Sequence, residues 1–140
     1  MLTPREIQLV NETWKIITPV SQQMGEEFYN LLFEAHPHLQ PMFKSNKKDQ
    51  AMKLMFMLSY LVIRLENIDE LKSEIKKLAE RHKNYGTTSD HYNAMAGILI
   101  KSLKNNVGKS WTSESEAAWY KAYNLIANLM IEAVGETNQN

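Results

Sequence analysis

Residues 71–82 read Leu71-Lys-Ser-Glu-Ile-Lys-Lys-Leu-Ala-Glu-Arg-His82. At helical period, Leu71, Ile75 and Leu78 fall on one side of a helix whose remaining surface is largely charged. His82 takes the next place on that apolar side, where a buried Leu is expected. A neutral imidazole on an apolar wall needs a partner for each ring nitrogen. Ordinary hydrogen bonds within a core meet that need, and so does a metal ion. The residues outside this helix have to decide between the two.

Working outward, the segment before it carries the most regular pattern in the chain. Ala51, Leu54, Met55, Leu58, Leu61, Val62 and Leu65 follow i, i+3, i+4, i+7 spacing. One turn before Leu54, the same stripe lands on Gln50. That amide either stands at the mouth of an apolar face or faces water near the helix start. Residues 44–49 are polar and read as a mobile corner. Glu66-Asn-Ile-Asp69 reads as a short link into the His82 helix, and Gly86 stands where a helix end suits glycine.

Earlier in the chain, Thr3-Pro4 with Glu6 predicts a capping box ahead of a helix bearing Ile7, Val10, Trp14 and Ile17. A second helix, from about Pro19 to Ala35, carries Met24, Phe28, Leu31, Leu32 and Phe33. Gly25 inside it costs about 1 kcal/mol against Ala, which suggests close approach of another helix, with Ala51 a small partner for it. Tyr29 follows one turn later, as a half-buried core residue or something more. Pro37 and Pro41 allow only a short tight helix, closed by an inward Phe43. His36-x-His38 lacks a third ligand nearby and reads as exposed loop. Later, Thr87-Thr88-Ser89-Asp90 offers caps for a helix with Tyr92, Met95, Leu99 and Leu103, ending around Asn105-Asn106. Ser113 and Glu116 predict a second capping box before a last helix with Trp119, Tyr123, Ile126, Met130 and Ala133 inward.

With no strand-length alternation and no hairpin turn signal, the fold class is all-α. The length suits a single domain, 1–140. Sixteen acidic against sixteen basic residues leave a formal charge of zero, which gives no support to nucleic acid or an anionic membrane as partner. The absence of cysteine excludes disulfides and thiolate sites. The apolar run 54–63 is too short to span a bilayer, and MLTPREIQ has no signal-peptide pattern, so a cytoplasmic protein is expected. No paired carboxylates, phosphate loop, nucleophile motif or H-E-x-x-H occurs. The eight methionines, among them Met52, Met55 and Met57, read as core filler. What remains is one inward His, one amide on an apolar stripe, and a Tyr and a Phe on the closing segments. A hydrolytic zinc site is poorly supplied by that set. A large planar ligand bringing its own metal needs one protein ligand, an apolar slot and a few placed hydrogen bonders.

These residues resemble a globin over essentially the full length. Trp14 stands where globins often have an aromatic, and Gly25 with Ala51 resembles the crossing of the second and fifth helices. Pro37 and Phe43 resemble the pair that brackets the short third helix. Gln50, seven residues after Phe43, falls at the distal position, and Leu54 is similar to its apolar neighbour. His82 is similar to the proximal iron ligand. Phe28-Tyr29 with Leu32-Phe33, Arg81-His82 with Tyr85-Gly86, and His91-Tyr92 resemble bacterial single-domain globins, the bacterial haemoglobins and the globin domain of flavohaemoglobins.

The resemblance implies a three-over-three helical sandwich holding haem b, iron protoporphyrin IX, with His82 on the metal. Phe43 then packs on the haem, and Leu54, Leu78, Tyr92 and Met95 line its slot. Tyr29 and Gln50 contact the bound gas. The implied function is reversible oxygen binding, with carbon monoxide and nitric oxide as further gas ligands and no catalytic residue. A Tyr hydroxyl donating to oxygen with superoxide character is worth roughly 1.5–3 kcal/mol, about one to two decades in affinity. Gln is a poor iron ligand, so an open or water-bound sixth position is expected. The alternative is a nitric oxide dioxygenase; with no reductase domain in these residues, it needs an external reductase. In that group a proximal Tyr, matched by Tyr92, works through a Glu in the last helix. Val134 aligns there and Glu132 lies two residues off, which weakens the enzyme alternative. Lys53 and Arg81 either reach the haem propionates or stay at the surface. A third alternative is a haem-free interaction or sensor module, with His82 an ordinary core residue.

Overall fold

Thr3 opens the first helix as its sequence predicts. Its hydroxyl accepts from the Glu6 N–H at 3.1 Å, and the Glu6 carboxylate accepts from the Thr3 N–H at 2.8 Å. This box caps α1 (Pro4–Ile17). The structure is a computed structural model that describes residues 1–84 and 86–139, with the side chains of 135–139 left aside; Tyr85, part of the predicted pattern, lies outside the described residues.

Lys121 of the last helix adds a second donor to Glu6 at 2.9 Å. The Thr3 N–H first, then the Lys121 ammonium, hold the Glu6 carboxyl down at about 2. A depressed carboxyl stabilises the folded chain above its ordinary range, and that contribution fades as pH falls from about 4.5 to about 2. Glu6→Gln is therefore expected to lose less stability than the parent across that window. Parallel acid-unfolding curves for the two proteins would contradict this.

Pro19 sits in a 3-10 turn, Thr18–Val20, so α2 begins at Ser21, slightly later than expected, and runs to Ala35. Pro37–Met42 is the predicted short tight helix. The polar corner expected over 44–49 is already helical from Lys47. The Asn46 side chain accepts from the Asp49 N–H at 2.9 Å and starts α3 (Lys47–Ile63) there. The expected link over 66–69 lies within a 3-10 segment, Leu65–Leu71, that buries Leu65, Ile68 and Leu71. α4 spans Lys72–Asn84 and buries Ile75 and Leu78 as the pattern predicts. Thr88 caps α5 (Ser89–Val107), and Gly108, at φ 69°, ends it. The last cap is Thr112, one residue before the Ser113 expected, since its hydroxyl accepts from the Ser115 N–H at 3.0 Å. It precedes α6 (Ser113–Gln139).

α2 packs across α3 and α5, and α6 packs across α1, α4 and α5. Gly25 is what lets α2 approach α3: a Cβ there would lie 2.9 Å from the Ala51 Cβ and 2.9 Å from the Met55 Cγ. Trp14 and Trp119 meet where α1 and α6 cross, their ring centroids 5.9 Å apart and tilted by 44°. The Trp14 indole donates to Ser59 Oγ at 2.9 Å, whereas the Trp119 N–H is buried without a hydrogen-bond partner. Met55 fills the core as expected, but Met52 is exposed, on the outer side of α3 with Phe56 and Ile63. Leu61 of α3 and Leu78 of α4 share one apolar cluster. Among the described residues, no helix is long and apolar enough to cross a membrane.

Candidate functional site

His82 sits near the end of α4, half-buried, one turn beyond Leu78. Its Nδ1–H donates to the Leu78 carbonyl at 2.8 Å. That bond fixes the tautomer, so Nε2 carries the lone pair a metal needs. Burial, with the nearby Arg81 charge, lowers the ring's pKa, and the Leu78 bond only partly opposes this. The imidazole is therefore neutral at neutral pH.

Tyr92 stacks on the His82 ring, with centroids 6.1 Å apart and planes 21° from parallel. Its backbone carbonyl accepts the Tyr123 hydroxyl from α6 at 2.6 Å. In the sequence Tyr123 reads only as part of an apolar stripe. A polar-tipped residue on such a stripe was the available signal for this anchoring bond. Val134 packs into the same apolar cluster as Tyr92, and Glu132 is exposed.

Tyr29 is 4% exposed on α2. It meets Phe28, Phe33 and Phe43 at centroid distances of 5.1, 5.8 and 5.4 Å. Burial pushes its hydroxyl up to about 12, so it stays a proton donor through neutral pH. Phe43 turns inward at the end of the short helix, held by its N–H to the Gln40 carbonyl at 3.1 Å. Gln50 is half-buried in the first turn of α3, and with Phe33 and Phe43 it lines a cavity of about 410 Å³. Tyr29 touches Phe43, which lines that cavity beside Gln50.

Leu54 and Met95 pack half-buried against the main core, while Leu78 is buried in a second cluster with Leu61, Ile75 and Met130. Lys53 and Arg81 are exposed. His36 and His38 face each other edge-on, and among the described residues no group of three or more metal-binding side chains exists. Leu54, Leu58, Tyr92 and Met95 are half-buried, as are Phe33, Phe43 and Ile98. A haem beside these residues would find one histidine with an oriented tautomer and apolar neighbours, which is the donor set such a group needs.

The globin family model matches residues 26–130. The chain is 28% identical over 138 residues to the flavohemoprotein of Bacillus subtilis, covering 94% of this chain and 34% of that protein. It thus spans about a third of the length of that relative. It is 25% identical over 146 residues to the anaerobic nitrite reductase HBII of Casuarina glauca, covering 93% of this chain and 91% of that one. Among solved structures, a bacterial globin from Campylobacter jejuni superposes with a TM-score of 0.87 at 26% identity, covering 99% of this chain and all of that one.

Proposed function

The chain belongs to the globin family, and we propose that it binds haem through His82 and takes up oxygen reversibly beside Tyr29 and Gln50. The observation that carries this proposal is the inward His82, its tautomer set by Leu78 and its ring stacked on Tyr92. When bound, the iron supplies a position at which a small gas coordinates reversibly. The protein's part is orientation and exclusion of water. Leu78 and Tyr92 hold the imidazole, and Tyr123 holds Tyr92 through its backbone. Phe43, Leu54 and Met95 keep the slot apolar. Tyr29 offers a hydroxyl that remains protonated, and the Gln50 amide offers a second donor. With no cysteine for a thioether link, haem b held without covalent attachment is the form these residues suit. Carbon monoxide and nitric oxide would use the same position.

The first test is an absorption spectrum of the purified protein mixed with haemin, then reduced, then given carbon monoxide. A single broad ferrous visible band and a sharp carbon monoxide Soret peak are expected. Split ferrous bands would contradict the open position beside Gln50, and no stoichiometric uptake would overturn the haem proposal. Tyr29→Phe is expected to speed oxygen release about tenfold or more, since a hydrogen bond to a charged group is worth about 1.5–3 kcal/mol. An unchanged release rate would remove Tyr29 from the account.

We keep as a second proposal the alternative that the resemblance to flavohaemoglobins implies, nitric oxide dioxygenation with an external reductase. Val134, in the apolar cluster around Tyr92, stands where the resemblance to flavohaemoglobins expects a Glu, and this favours ligand binding over that turnover. Sustained nitric oxide consumption with a reductase supplied, rather than a single turnover, would reverse the preference.

A further inference from the structure

Three large apolar side chains stand open to water on one helix. Met52, Phe56 and Ile63 of α3 are 55%, 73% and 68% exposed, whereas Ile16, Tyr120 and Ile131, on α1 and α6, are each only just exposed. At 3.6 residues per turn, the three fall within about 40° of one another, on the side of α3 opposite the buried Ala51 and Leu61. They form an apolar stripe about 16 Å long. A stripe of this kind with a charged rim marks a contact surface.

The rim says what fits it. Asp49 lies just before the stripe and Arg64 just after it, about 22 Å apart along α3 and on the same flank. Both are exposed, and neither forms an ion pair among the described residues. Arg64 is already oriented. Its Nη1 donates to the Tyr60 carbonyl at 3.1 Å, and its Cζ lies 3.9 Å from the centre of the Tyr60 ring. A side chain held in place beforehand loses less freedom when it makes a contact. A face with opposite charges at its two ends is complementary to itself once a second copy lies antiparallel to it. A two-fold axis near Phe56 sets Asp49 against Arg64 of the second copy, Met52 against its Ile63, and Phe56 against its Phe56. Lys53, on the same flank, falls opposite Tyr60 of the second copy and about two turns from the other Lys53. The formal charge of zero leaves no net repulsion between copies.

We propose that the outer face of α3 is the contact surface for a second copy of this chain, with the two helices antiparallel about a two-fold axis near Phe56. The residues it uses stand on the other side of α3 from Leu54, so it does not rest on the haem proposal. About four turns of one helix bury less than the roughly 800 Å² per partner of a standard interface. The dimer is therefore weak, with a Kd of roughly 0.1 mM.

The test is sedimentation equilibrium of the purified 140-residue chain from about 1 µM to about 1 mM. The weight-average mass is expected to rise from the 16.2 kDa of one chain to nearly twice that. A mass that stays at one chain up to about 1 mM would overturn the proposal. Phe56→Asp changes a side chain already in water and is expected to weaken association at least about tenfold. A dimer undiminished in Phe56→Asp would place the contact elsewhere and overturn it too. The register has its own test. Asp49→Arg and Arg64→Asp each set like charges against one another across the axis, and each alone is expected to weaken association about threefold to tenfold at low salt. In an equimolar mixture each variant presents the charge that the other lacks, so association should return to within about twofold of the parent. A mixture no stronger than its components would overturn the antiparallel pairing, and Phe56→Asp keeps the surface itself open to refutation if either charge variant fails to fold.

Discussion

His82→Ala is expected to cost haem binding more than any other single change. The substitution removes the candidate protein–iron bond and leaves apolar burial alone to hold the haem. Changing only an outer-shell partner of a metal ligand costs about 10–100-fold in affinity, and loss of the ligand itself should exceed a hundredfold. His82 is half-buried near a helix end and α4 is anchored on α6 through Ile75 and Leu78, so the fold should survive. The measurement is haemin titration followed by Soret absorbance, with added imidazole as rescue. Recovery of a histidine-like spectrum on adding imidazole would tie the loss to the missing ring. Parent-like affinity and an unaltered ferrous spectrum in His82→Ala would remove this residue from the metal.

Gly25→Val carries the largest expected loss of stability. The new Cβ would press on the Ala51 Cβ at 2.9 Å and on the Ala51 carbonyl oxygen at 3.0 Å. Met55 can swing aside, but that carbonyl is backbone of α3 and cannot. Overpacking a closed core costs about 1–3 kcal/mol, and a branched side chain at a helix crossing belongs at the upper end. That corresponds to roughly 10 °C in Tm for a chain of this size. Because Tyr29 follows one turn later on the same helix and Gln50 precedes Ala51, separating α2 from α3 should also speed oxygen release. A Tm within about 2 °C of the parent would mean that the crossing yields more easily than its geometry implies.

How much of this was legible in the sequence depends on the range of the force concerned. Helix positions followed from apolar period and cap chemistry, which act within a few residues. Thr3, the Pro37–Met42 helix and the stripe through Leu78 to His82 all appear where their neighbours dictate. The misplacements are local competitions between equivalent caps. Thr112 outcompetes Ser113, and Asn46 starts α3 inside what reads as a polar corner. The crossing at Gly25 was legible because a glycine inside a helix is costly unless something needs the space. Contacts between side chains far apart in sequence were not legible. Nothing in the order of residues marks Lys47 for Asn30, or Tyr123 for the Tyr92 carbonyl. Nor does the apolar pattern tell that Tyr29 packs on Phe43.

The joint between the first and last helices also makes the protein its own optical reporter. Two of its three tryptophans, Trp14 and Trp119, lie 5.9 Å apart in the core. Transitions in rings that close couple, so their near-ultraviolet circular dichroism depends on the mutual tilt and vanishes when α1 and α6 separate. The unpartnered Trp119 N–H and the Ser59-bound Trp14 N–H put the two indoles in different electrical surroundings, which separates their emission. Trp14 and Trp119 belong to the main core rather than to the cluster of Leu78 and Tyr92 beside His82. A variant of His82 can thus go dark at the Soret band while its tryptophan dichroism stays intact, and the two signals divide loss of the cofactor from loss of the fold in one cuvette.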